Sequence, residues 1–212
     1  MDLGFSKTEK LLVESAREFL EKEAAGVFRE VESSEEGYSK GLWRKMAELG
    51  WMGILFPEEY RGMNGNFSEL IFLLEEMGKA LVPGPFVSTM ITGYSLLRYG
   101  TKMQKKDLLP KLTSGELIII PCFIEPDPAR GDIKLKERVN LKDGHYLLSG
   151  TRLFVPYARS ANWFLYESKT KEGKTLFLVN AGNPGIVRNP LETLASDKQC
   201  EVVLEKATGS RL

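Results

Sequence analysis

Residues 104–132 read QKKDLLPKLTSGELIIIPCFIEPDPARGD, and the fold class turns on them. Up to Leu112 the apolar positions fit a helix; from Leu117 to Phe123 they run almost unbroken; from Glu125 onward prolines, a glycine and acids remove any period. A short apolar run bounded by turn residues reads as a buried strand, so helix gives way to sheet between Gly115 and Leu117. No flexible linker separates the two textures, which predicts two closely docked parts.

Toward the amino terminus the chain reads as helical. Ser6 and Glu9 have the spacing of a capping box, and Leu11, Leu12, Ala16, Phe19 and Leu20 follow on one face, predicting a helix over residues 7–24. Leu42, Met46, Ala47 and Leu49 predict a short helix closed by Gly50, and Ser68 is the expected cap of a third. Residues 56–66 lack a period and read as a loop. After Val82-Pro83-Gly84-Pro85, helices are predicted near 88–99 and 102–112.

Toward the carboxyl terminus, Lys142-Asp143-Gly144 and Lys171-Glu172-Gly173 are hairpin turns, and strands are predicted near 138–141, 145–149, 162–168, 174–179, 185–187 and 200–204. Short strands so closely spaced argue a barrel or sandwich. The expected fold class is α+β, with an all-α domain over residues 1–115 followed by an antiparallel β-barrel or sandwich domain over 116–212.

Bulk properties narrow the function. The 29 basic residues balance the 29 acidic ones, so no overall field would hold a nucleic acid or an anionic membrane. Cys122 and Cys200 are too few for a disulfide framework, and with His145 as the only histidine a His-based metal or triad site is disfavoured. The opening MDLGFSKTEK has no apolar signal core, and no run reaches the roughly 18 apolar residues of a membrane span. A cytoplasmic protein with no membrane or nucleic-acid partner is the expectation.

Five collinear segments carry a resemblance. Leu109-Pro110-Lys111-Leu112-Thr113-Ser114-Gly115-Glu116 leads into Ile124-Glu125-Pro126, and Asp143-Gly144-His145-Tyr146-Leu147-Leu148-Ser149-Gly150-Thr151-Arg152-Leu153-Phe154 follows. Upstream stand Gly50-Trp51-Met52-Gly53-Ile54-Leu55-Phe56-Pro57-Glu58-Glu59-Tyr60-Arg61-Gly62 and Glu75-Glu76-Met77-Gly78-Lys79-Ala80. In this order and spacing they resemble the acyl-CoA dehydrogenase family over nearly the whole chain.

The resemblance implies an oxidoreductase with FAD as cofactor, an acyl-CoA substrate, an electron-transfer acceptor protein and a homo- or hetero-oligomeric state. It assigns flavin contact to Cys122, Phe123 and Ile124 at the strand end, and to Phe154, Val155 and Pro156 in the returning segment. Ile124 replaces the family's usual threonine and Pro156 its threonine or serine, so two hydroxyls are lost, and proline removes a backbone donor as well. Without the resemblance, Ile124 and Phe154 read as ordinary sheet core.

Arg130, in the turn Asp127-Pro128-Ala129-Arg130-Gly131-Asp132, is the candidate substrate contact. Three readings stand: it meets a phosphate of coenzyme A, it fills space the ligand uses, or it is simply solvated. The family's general base lies in a helical bundle beyond the β domain, so no catalytic residue is assigned in this chain, which by itself is expected to be inactive. Two functions follow: the amino-terminal part of a flavin-dependent acyl-CoA dehydrogenase, or a degenerate, non-catalytic subunit or scaffold of that fold, paired with an active partner.

Overall fold

The computed structural model describes residues 6–126, 138–142, 145–195 and 197–212. By compactness the chain forms two units. One holds the residues up to Gly84 together with Thr113–Gly115; the other holds Pro85–Leu112 and Glu116–Leu212.

The first unit is helical: α1 (Lys7–Glu23), α2 (Val27–Glu32), α3 (Lys40–Glu48) and α4 (Phe67–Lys79). The capping box of α1 is present, with Ser6 Oγ accepting from Glu9 N and Glu9 Oε2 from Ser6 N at 2.7 Å. α4 begins earlier than its expected Ser68 cap. Asn66 caps it reciprocally with Glu69, because an asparagine oxygen serves the same orphan amide and Glu69 stands three residues on. α2 has too few residues for a period to show in the sequence; its buried side chains are Val27 and Val31.

Between α3 and α4 the loop folds back on itself through short 3₁₀ turns at Trp51–Gly53 and Glu58–Tyr60. Gly62 is required there: a Cβ at that position would lie 2.0 Å from the Phe56 carbonyl oxygen. The same unit includes the residues after the last helix, where Trp43 Nε1 donates to Gly115 O at 3.0 Å and Thr113 Oγ1 to Tyr60 O at 3.0 Å.

The second unit contains α5 (Phe86–Tyr99), most of α6 (Lys102–Thr113) and one seven-stranded sheet. Its strands are β1 (Ile119–Cys122), β2 (Arg138–Lys142), β3 (His145–Pro156), β4 (Trp163–Thr170), β5 (Gly173–Asn180), β6 (Ile186–Leu191) and β7 (Gln199–Arg211). The order is β1-β4-β5-β7-β3-β2, with β6 paired to β7. β7 carries the bend. Residues 199–204 pair with β6, whereas Gly209–Arg211 pair with β5, and between them Lys206 turns left-handed (φ 53°) with its amide on Ser149 Oγ at 2.9 Å. The sheet is open and sandwich-like rather than a closed barrel.

Helix followed by sheet agrees with the sequence, but one pairing departs from the antiparallel expectation. β1 runs parallel to β4, Ile119 opposite Trp163 and Cys122 opposite Tyr166. Hairpin turns reveal only pairings between neighbours in sequence, whereas a parallel pair needs a long crossover, here everything between Cys122 and Trp163. Asn162 sets the register, its Oδ1 accepting from Ile118 N at 2.8 Å and its N donating to Ile118 O at 2.9 Å. On β1, Thr92 of α5 donates its hydroxyl to Ile119 O at 2.7 Å, which occupies a carbonyl of this edge strand. Among the described residues no helix is long and apolar enough to cross a membrane.

Candidate functional site

β1 ends at Cys122, and the following residues turn across to β3. The Leu153 amide donates to the Ile124 carbonyl at 2.9 Å, joining two segments nearly thirty residues apart in sequence. Leu153 and Phe154 fall in a register shift of the β3–β7 ladder, between Arg152 and Val155, so neither is paired to β7 there. Within that bulge Phe154 has φ 53°, a left-handed conformation that strains a bulky residue by about 1–3 kcal/mol. The bulge leaves Phe154 exposed between a partly buried Leu153 and a buried Val155.

Three of the six cofactor candidates therefore form an exposed apolar edge: Phe123 (38% exposed), Ile124 (53%) and Phe154 (49%). Cys122 and Val155 are buried in the sheet and can offer such an edge only backbone atoms. Burial also pushes the Cys122 thiol up, against the weaker pull of Arg152 and Arg188, so it stays protonated. Pro156 is half-buried opposite Gln199 and brings neither hydroxyl nor amide proton. Arg130 and the turn around it lie outside the described residues.

Arg152 is the residue that the sequence did not single out. Its side chain is 1% exposed. The guanidinium lies 4.3 Å from the centroid of the Tyr166 ring, Nη1 donates to Thr151 O at 2.9 Å, Nη2 donates to Glu167 O, and Nη2 stands 3.6 Å from Glu125 Oε1. An arginine inside a strand, directly before the apolar run Leu153–Val155, is the signal that could have found it.

Beside Phe123 opens a recess of about 290 Å³, lined also by Glu125, Glu167, Ser168, Lys169 and Lys174. Lys174 Nζ pairs with Glu167 Oε1 at 2.7 Å, which raises the lysine pKa, while Lys169 is exposed. An apolar edge next to a polar, partly cationic recess can take a ligand with a flat or aliphatic part and an anionic part. Among the described residues no three His, Cys, Asp or Glu side chains converge as a metal site would need.

Residues 6–116, just over half of the chain, match the family of the acyl-CoA dehydrogenase N-terminal domain. The chain is 28% identical to the mitochondrial isovaleryl-CoA dehydrogenase of Pongo abelii, over 95% of this chain and 51% of the relative. It is 27% identical to the acryloyl-CoA reductase (NADH) of Anaerotignum propionicum, over 97% of this chain and 55% of that one. Among solved structures, an acyl-CoA dehydrogenase from Geobacillus kaustophilus superposes with a TM-score of 0.82 at 26% identity, covering 99% of this chain and 58% of its own. A variant of the Tcur3481-Tcur3483 steroid ACAD gives 0.86 at 27%, covering 97% and 57%. The chain thus spans about half the length of the curated relatives it matches.

Proposed function

This chain belongs to the acyl-CoA dehydrogenase family, and we propose that it is the amino-terminal part of a flavin-dependent acyl-CoA dehydrogenase, acting on an acyl-CoA thioester and passing electrons to an acceptor protein. The observation that carries the reading is the Ile124–Leu153 hydrogen bond, which sets the strand end and the Phe154 bulge side by side. Both segments are those that the family resemblance assigns to the cofactor.

The residues present fit one aspect of FAD. The isoalloxazine ring has a broad apolar face, and Phe123, Ile124 and Phe154 offer a wall for it that excludes water. At the polar rim of the ring only backbone groups of these segments are at hand, because Ile124 and Pro156 lack hydroxyls. When bound, the flavin supplies the hydride acceptor for α,β-dehydrogenation. The chain's own part is to hold the ring flat and dry, and to meet a polar part of the substrate with Lys169 and Lys174 around the adjoining recess.

A second reading has its own support. The lost hydroxyls favour a non-catalytic subunit of the same fold, kept for pairing with an active partner. Titrating the chain with FAD and following flavin fluorescence separates the two. The protein is expected to purify colourless yet quench FAD saturably at high concentration, and Phe154→Ala is expected to abolish that quenching. Absence of saturable quenching in the unaltered chain would turn the assignment to the non-catalytic subunit.

A further inference from the structure

We propose that Arg152 is a positioning residue that sets where the Phe123–Ile124–Phe154 wall stands; its relevance to a cofactor rests on the flavin reading above. A buried guanidinium is costly unless its charge and its planar fork of donors are met. Here they are met from three elements at once. Tyr166 and the Glu167 carbonyl belong to β4, the Thr151 carbonyl to β3, and the Glu125 carboxylate to the segment that continues β1.

The topology makes this arrangement informative. β3 and β1 are not neighbours in the sheet, being separated by β4, β5 and β7 in strand order. Among the described residues the strand end is tied to β3 not by the ladder but by contacts that include Leu153 N to Ile124 O and, next to it, Arg152 to Glu125. The exposed Phe123 and Phe154 stand directly beyond this junction, and Ile124 is part of it. Arg152 sits one residue before that hydrogen bond and Glu125 one residue after it, so the ion pair and the amide act on the same junction.

Site-resolved hydrogen exchange on the full chain tests this without any cofactor. In Arg152→Met, which keeps length and apolar packing, the Leu153 amide should exchange about tenfold faster or more, with the α5 and α6 amides unchanged. Glu125→Gln, at a surface position that folding tolerates, should move Leu153 in the same direction by less. Arg152→Lys, which restores the charge without the fork, should recover part of the protection. If Arg152→Met does not fold, Glu125→Gln decides alone. An unchanged Leu153 amide in Glu125→Gln overturns the proposal, as does exchange that rises evenly across the sheet. FAD titration of the same proteins keeps the two ideas apart: faster Leu153 exchange with no saturable FAD binding by the unaltered chain upholds the positioning role and rejects the flavin reading.

Discussion

Ile124 and Phe154 are brought together by one backbone contact, the Leu153 amide on the Ile124 carbonyl at 2.9 Å, and both side chains emerge from that junction into solvent. Under the proposed flavin reading, this exposed apolar edge would face the ring without side-chain hydroxyls. Restoring one should be measurable.

In Ile124→Thr a hydroxyl returns to the strand end, and in Pro156→Thr a hydroxyl and an amide proton return to β3. A net hydrogen bond is worth about 0.5–1.5 kcal/mol, and about 1.4 kcal/mol is tenfold in affinity. Each change is expected to tighten FAD binding severalfold in a fluorescence titration, and the pair by more. Equal or weaker binding in both single variants would count against these residues facing a flavin.

Glu76 ties α4 to α1. Its carboxylate, 4% exposed, accepts from Arg17 Nε and Nη2 at 3.0 Å each and from Lys79 Nζ at 2.8 Å. The Arg17 hydrogen bonds, helped by Lys79, outweigh the opposing effect of burial and hold the group at about 2, down from 4.5. A carboxylate with a lowered folded pKa stabilises fully above its unfolded value and loses that contribution as pH falls through the folded one. Denaturant midpoints of the unaltered chain should fall as pH drops from about 4.5 toward about 2, and Glu76→Gln should remove most of that slope. At neutral pH the variant should be less stable by about 1–3 kcal/mol. Parallel acid slopes in the two proteins would exclude Glu76 as their source.

Both thiols are buried, Cys122 fully and Cys200 nearly so, and burial pushes the pKa of each upward. The thiolate is the reactive form, so a chromogenic disulfide reagent should label the native chain slowly and the denatured chain at both positions. Fast labelling under native conditions would mean that the β1 or β7 segment opens readily.

Gly62→Ala places a methyl 2.0 Å from the Phe56 carbonyl oxygen, a backbone atom that no side-chain rotation can move away. The first unit is expected to lose about 1–3 kcal/mol of stability, read from the tryptophan fluorescence transition, since Trp43 and Trp51 are both buried there. A midpoint unchanged from that of the unaltered chain would contradict this loop conformation.

The helices were legible because their signals are local. Ser6 with Glu9 announced α1 within three residues, and the apolar spacing of α5 and α6 needed no knowledge of what they pack against. The errors were local too. Asn66 and Ser68 are both capable caps two residues apart, and only the reciprocal bond with Glu69 decides between them. The site was half legible. Resemblance proposed its two segments, but whether a given side chain faced solvent depended on the bulge at Leu153–Phe154, which no alternation rule would place.

By itself, the sequence determined the switch from helix to strand after Gly115, the family, and the loss of hydroxyls at Ile124 and Pro156, because each of these is written in residue identity and short-range order. Only the tertiary structure decided the parallel β1–β4 pairing, the bend of β7 at Lys206 and the burial of Arg152 against Tyr166. These depend on which distant segments meet. A strand's partner and a buried cation's counter-charges are chosen by packing across many residues of intervening chain, where spacing along the sequence carries no information.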